Sequence, residues 1–374
     1  MERFRGIEGA RGWLAIIVLL AHLVTASGFT AVVPGLAFLA PASGHAVTVF
    51  IIISGFVITH LLLSRAEPYR LYLIRRWLRI YPAYLVCLAA GFALQSLTSE
   101  TAPVPWLTPN VAEHLARARS AFENGDLSNH LLAHLLLLHG AISNTLLDET
   151  QFMFVGPAWS LSLEWQFYLV APFAVAAFQR RGWNLVALAA VAIGHVAFIT
   201  EIFGQYYTPS VLPAAGAFFA IGILCRLHFD RLPRLHRFPL LGILGLIVVA
   251  VLLPQTAYLT GWAIVLCYLL ISPGTSEGAI NRVLQLALDS RPARALGQRS
   301  FVIYLLHQPV ISAVTAWGAA GLHLGPVPLL LFVVAVSLPA IVLGTEAIHR
   351  WIERPGIAFG RGLGAGAPRP KIAL

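Results

Sequence analysis

The chain has 374 residues, enough for two soluble domains or one polytopic membrane domain, and composition separates the two. Hydrophobic residues make up 58% and charged residues 11%, too little charge to cover the surface of a soluble protein. The same figures, with only 3 Cys, exclude disordered, coiled-coil, collagen-like and disulfide-scaffold chains. Mean hydropathy is +0.78, and the formal net charge of +9 comes from 25 Lys+Arg against 16 Asp+Glu. In so apolar a chain an arginine excess speaks first of membrane topology.

A bilayer-crossing helix needs about 20 apolar residues. Such stretches are predicted near 12–31, 44–64, 78–97, 158–178, 184–203, 209–227, 238–256, 258–273, 299–318 and 326–348. An eleventh, 130–147, is short of a clean span and carries His130, His134, His139 and Asn144. Ten crossings with both termini cytoplasmic leave only Arg117 and Arg119 of the 25 cations outside. Counting 130–147 as a crossing breaks that pattern from Arg180 onward, so it reads as a re-entrant or interfacial helix. The expectation is therefore an all-α polytopic membrane protein of about ten helices, with a transmembrane domain over 1–357 and a mobile cytoplasmic tail over 358–374. The outer loop, about 98–157, starts irregularly at Pro103, Pro105 and Pro109, with a surface helix expected over 111–122. Span 1 lacks a cleavage site of signal-peptide form. Cys87, Cys225 and Cys267, with no CxxC spacing, read as apolar filler.

Ionisable residues inside spans are costly, so each is a candidate for function. Arg11 and His22 are eleven residues apart, a rise of about 16.5 Å and a turn about 20° past three revolutions, so both lie on one helix face. Arg11 falls at the inner mouth, with Glu8 in reach of it, and His22 near the bilayer centre. Arg75, Arg76 and Arg79 open span 3, and the three-residue spacing aligns Arg76 and Arg79, whose guanidinium forks suit phosphate oxygens. Topology alone also collects arginines in such a loop. The block from Pro157 to Tyr168 places Glu164 in span 4 with no neighbouring cation in sequence, so it needs a partner from another helix, for which a histidine would serve. In span 9, Tyr304 and His307 share a face ahead of Pro309. Packing accounts for His45 and for Ser54-Gly55-Phe56, and capping for Glu353. No metal site is expected: His130, His134 and His139 have no local carboxylate or thiol beside them.

Taken in order, these motifs resemble the bacterial integral-membrane acyltransferase 3 family: Arg11 with His22, the FIIISGF segment from Phe50 to Phe56, Arg76-x-x-Arg79 with Pro82, Trp159-Ser160-Leu161-x-x-Glu164-x-x-Phe167-Tyr168, and Ser300-x-x-x-Tyr304-x-x-His307. The resemblance covers residues 6–355 and implies ten helices with both termini inside, matching the topology counted above. Two positions depart from it, Glu8 and Thr48 standing where many members have Asp.

The resemblance implies an O-acyltransferase of the bacterial inner membrane that carries an acyl group, acetyl by default, from cytoplasmic acyl-coenzyme A to a hydroxyl of an external glycan or glycoside. Arg11, Arg76 and Arg79 would hold the donor's phosphates. His22 would be the general base, oriented by Glu164, with Tyr304, His307 or Ser162 donating to the oxyanion. An acyl-His22 relay is a variant. No nucleic acid and no metal are implied. Acceptor choice is expected in the outer loop, around Trp106, Asp126, Asp148 and Glu149. The rival reading is a transporter or flippase of acyl-coenzyme A, but no pair of related halves is visible in the sequence.

Overall fold

The computed structural model describes residues 4–65, 67–99, 109–124, 126–232, 235, 239–271 and 279–363. Among them fourteen α-helices account for nearly all regular structure: α1 (Gly6–Ala26), α2 (Leu39–Ser64), α3 (Tyr69–Ser99), α4 (Pro109–Asn124), α5 (Leu127–Leu135), α6 (Trp159–Gln179), α7 (Trp183–Ile199), α8 (Leu212–His228), α9 (Leu240–Leu252), α10 (Ala257–Leu270), α11 (Ala279–Asp289), α12 (Arg291–Ala316), α13 (Pro326–Ile348) and α14 (Arg354–Gly362). An isolated bridge between Leu235 and Ile271 is the β-type pairing found among these residues.

Seven helices, containing α1, α2, α3, α6, α8, α12 and α13, are long and apolar enough to cross a membrane. Helices also occupy the other three expected spans, but α7, α9 and α10 have 17, 13 and 14 residues. Thirteen residues rise about 20 Å, less than a hydrocarbon core of about 30 Å. Apolar residues project from α7 and α9, with Ile193 68% and Leu241 85% exposed, as suits contact with lipid.

The bundle is held by close backbone seams of the kind that small residues permit. A Cβ on Gly297 of α12 would lie 1.7 Å from the carbonyl oxygen of Glu8 in α1, so only glycine lets these helices meet. α2 and α8 approach in the same way at Gly55 and Gly222, where the sequence led one to expect a close approach. The α1–α12 seam matters most for function, because it sets His22 opposite the polar face of α12.

Three differences from expectation bear on the site. α3 begins at Tyr69, nine residues before the expected span, so Arg75 and Arg76 lie on the helix with Arg79, as the shared face expected for Arg76 and Arg79 requires. Of the 130–147 stretch only the part within α5 is helical; Leu137 takes a positive φ of 55°, and turns follow to Ala158. The expected re-entrant or interfacial helix is thus a nine-residue helix leading into a folded loop, in which Leu132, Leu136 and Leu146 face outward while His130, His134 and His139 are buried. At the C-terminus α14 runs to Gly362, five residues into the expected mobile tail; residues 364–374 lie outside the described residues. The surface helix expected over 111–122 is present as α4.

Candidate active site

A cavity of about 450 Å³ opens between α1, α2, α3, α6, α12 and α14. Arg11, Arg65, Arg75, Arg76, Arg79 and Arg361 line it, with Glu8 and Glu164 as its acids, and Ser160, Ser300 and Tyr304 also face it. The arginines come from the ends of helices predicted to start or finish on the cytoplasmic side. The cavity is a vestibule lined with cations from α1, α3 and α14 and with hydroxyls on α6 and α12.

Arg75 is fully engaged. It pairs with Glu67, and its Nε and Nη2 donate to the carbonyls of Gly360 and Leu363 at 3.0 and 2.5 Å. Arg11, Arg76 and Arg79 make no hydrogen bond or ion pair among the described residues, and Nε of Arg76 is buried without a partner. Half-buried guanidinium groups that lack a direct ion pair are costly to hold together, and an anionic ligand would offset that cost.

Glu164 sits among these cations, close enough to Arg11 to interact electrostatically. Its Oε1 accepts from Ser54 Oγ at 2.9 Å and from the Tyr168 hydroxyl at 2.5 Å. It makes no hydrogen bond to His22 among the described residues, so the expected Glu164–His22 contact is corrected. The helical repeat explains why: Ser160, Glu164 and Tyr168, each four residues apart, form one polar stripe of α6 facing the vestibule. That spacing was visible in the sequence, but its partners on α2 and α12 were not.

His22 instead meets His307. His22 Nδ1 and His307 Nε2 are 2.7 Å apart, with the rings stacked at 4.9 Å and 12° between their planes. His307 Nδ1 lies 3.0 Å from the carbonyl oxygen of Ile303. A carbonyl only accepts, so in the neutral pair the proton on His307 is at Nδ1 and its Nε2 is the acceptor. The shared hydrogen then belongs to His22 Nδ1, which leaves the lone pair of His22 on Nε2, the tautomer assigned by the network.

One turn before His307, Tyr304 shares a hydrogen bond of 2.9 Å with Ser160 Oγ, and Phe50 packs on its ring at 5.8 Å. Tyr304 thus belongs both to the vestibule wall and to the surroundings of the histidine pair, its ring 6.1 Å from that of His307. Ser162, an oxyanion candidate in the sequence, is committed elsewhere: its hydroxyl donates to Leu137 O at 2.6 Å and accepts from Gly140 N–H at 3.1 Å. It holds the outer loop against α6.

Three further histidines, His130, His134 and His139, lie in that loop. His134 and His139 stack at 4.0 Å, and their Nε2 atoms donate to the carbonyls of Thr150 and Ala158 at 3.1 and 2.9 Å. Tyr84 binds the backbone and ring of His134. No group of three or more His, Cys, Asp or Glu placed to hold a metal occurs among the described residues. Arg117 of α4 donates to the buried Glu149 at 2.9 Å, and its guanidinium lies over Tyr207 at 4.9 Å. Beside it, Arg117, Ser120, Asp126, His130 and Asp148 edge a second, open cavity of about 290 Å³. Trp106 lies outside the described residues.

Comparison with known proteins agrees with this layout. A family model described as an acyltransferase domain matches residues 4–346. A curated relative, acyltransferase MdmB from Streptomyces mycarofaciens, is 27% identical over 208 residues, which cover 54% of this chain and 48% of that protein. The chain spans about half the length of that relative. No solved structure matches the chain.

Proposed function

The chain belongs to the acyltransferase 3 family, and from that premise we propose a multi-pass O-acyltransferase of the bacterial inner membrane. It crosses the bilayer ten times with both termini inside, and moves an acyl group, acetyl in the first instance, from acyl-coenzyme A to a hydroxyl of an external glycan or glycoside. The observation that carries this reading is the vestibule: partnerless arginines at one end, and at the other Tyr304, one turn from a histidine pair with a basic nitrogen free.

The donor's phosphates lie against Arg11, Arg76 and Arg79, and its pantetheine arm runs along the apolar wall formed by Phe50, Ile53 and Val57. Glu164 tempers the cationic wall and, through Ser54 and Tyr168, fixes α6 against α2. Beyond Tyr304, at the end of the vestibule away from the arginines, His22 Nε2 takes the proton of the acceptor hydroxyl as its oxygen bonds to the thioester carbonyl carbon. Tyr304 or Ser160 turns a hydroxyl proton toward the oxyanion of the tetrahedral intermediate. The carbon–sulfur bond then breaks, and the imidazolium returns its proton to the coenzyme A thiolate. His307 holds the tautomer of His22. The acceptor approaches through the outer loop, where the carboxylates and His130 of the second cavity offer hydrogen bonds to sugar hydroxyls.

The test is to incubate the purified protein in nanodiscs with labelled acetyl-coenzyme A and glycolipids extracted from a bacterial envelope. Label in a base-labile ester on a glycan, with release of free coenzyme A, is the expected result. Intact donor accumulating on the far side of proteoliposomes without ester formation would replace this reading with transport.

A further inference from the structure

α14 lies beyond the matched family region, which ends at residue 346, yet it forms one wall of the vestibule through Ile357, Gly360 and Arg361. It is docked rather than trailing. A Cβ on Gly356 would lie 2.8 Å from Leu78 O, so its backbone rests directly on α3. Arg75 ties its end, donating to Gly360 O and Leu363 O while paired with Glu67. Just before α14, His349 Nδ1 bonds Glu353 Oε2 at 2.6 Å, a buried contact. The outcome is that Arg361 stands on the cavity lining together with Arg65 of the α2–α3 loop, and neither has a hydrogen-bond or ion-pair partner among the described residues.

The charge of the cavity exceeds the need of a single diphosphate. Six arginines and two glutamates line it, an excess of four positive charges. Acyl-coenzyme A carries two separate anionic groups: the diphosphate, about −2, and the 3′-phosphate on the ribose, about −1.5 to −2 near neutral pH. We propose that α14 is a docked wall of the donor site and that Arg361, with Arg65, is a second anion subsite that takes the ribose 3′-phosphate. Arg11, Arg76 and Arg79 are thereby left to the diphosphate. Arg75 is a positioning residue that keeps Arg361 on the cavity. This inference rests on the donor reading above and adds which residues tell coenzyme A from its 3′-dephospho form.

The test compares acetyl-coenzyme A with acetyl-3′-dephospho-coenzyme A as donors, with wild type, Arg361→Ala and Arg75→Ala in neutral-lipid nanodiscs. Arg361→Ala is expected to raise KM for acetyl-coenzyme A about tenfold, in line with loss of one charge-assisted phosphate contact, leaving kcat and the KM of the dephospho donor unchanged. Arg75→Ala is expected to raise the same KM, with little further loss in the double variant, because both act on one contact. Arg361 is exposed, so its replacement leaves the bundle intact. Equal effects on both donors, or none, would overturn the proposal while leaving the donor reading standing. An effect of Arg361→Ala present only in nanodiscs with anionic lipid would overturn it too, assigning the residue to the bilayer surface. A wild type that uses neither donor would overturn both readings.

Discussion

The arginine-lined vestibule and the loop before α6 both hold ionisable groups, but they partner them differently. Outside, Arg117 is paired with Glu149, and His134 and His139 are bonded to carbonyls and stacked on each other. Inside, Arg11, Arg76 and Arg79 have no hydrogen-bond or ion-pair partner among the described residues, and His22 keeps one ring nitrogen unbonded. The loop leaves buried atoms unpartnered as well, Nδ1 of His130 and of His139 among them, so what sets the vestibule apart is that its cations stand together on one cavity, where an anionic ligand can reach them. The comparison teaches that a count of histidines misleads: His134 and His139 hold carbonyls of the loop, whereas His22 and His307 bond each other across two helices.

The contrast breaks most completely if the seam that builds the inner site is pushed apart. Gly297→Val drives two methyl groups into the backbone of Glu8, and the expected outcome is loss of folded protein and of activity, read as yield after size-exclusion chromatography. Next comes the base. His22→Ala, with folding intact, is expected to lower kcat about 10²–10⁴-fold, the usual worth of a general base. His307→Ala is expected to cost less, about tenfold to a hundredfold, because it loosens a tautomer and does not remove the base. Normal turnover in either variant at wild-type expression would return that histidine to packing.

On the outer side the effects should fall on stability and not on turnover. His134→Ala removes a stacking partner and the Nε2 donor to the Thr150 carbonyl, and is expected to cost about 1–3 kcal/mol in unfolding while kcat of the folded enzyme is kept. The smallest effect concerns His130. Burial holds its imidazole below the ordinary range, Asp126 and Asp148 offsetting part of that. The unfolded chain then binds the proton more readily, so stability from this residue is present above pH of about 6.5 and declines as pH falls through that region. His130→Gln should flatten that decline in a thermal-melt series between pH 7.5 and 5.5; an unchanged slope would remove His130 from the account.

Much of this was legible in the sequence. Hydropathy located all ten helices that occupy the expected spans, and the eleven-residue interval put Arg11 and His22 on one face, as α1 has them. Periodicity within one helix is local physics, and it served. What lay beyond it was pairing between helices. Glu164 was matched to a histidine because a buried carboxylate needs a partner, and the partners turned out to be Ser54 and Tyr168, hydroxyls that no charge pattern flags. The partnership of His22 with His307, 285 positions away, depends on the glycine seam between α1 and α12. The end of α14, from residue 358 on, was expected in a mobile Gly-rich tail, whereas Gly356 lets the helix rest on α3.

The claim that the partnerless inner arginines are a donor site is tested most directly by equilibrium binding of acetyl-coenzyme A to the purified protein in neutral-lipid nanodiscs. The account predicts one site per chain, an affinity that falls as salt rises, and at least a tenfold loss in Arg76→Ala with no loss in His134→Ala. Binding that is absent, or equally strong in wild type and Arg76→Ala, would contradict it.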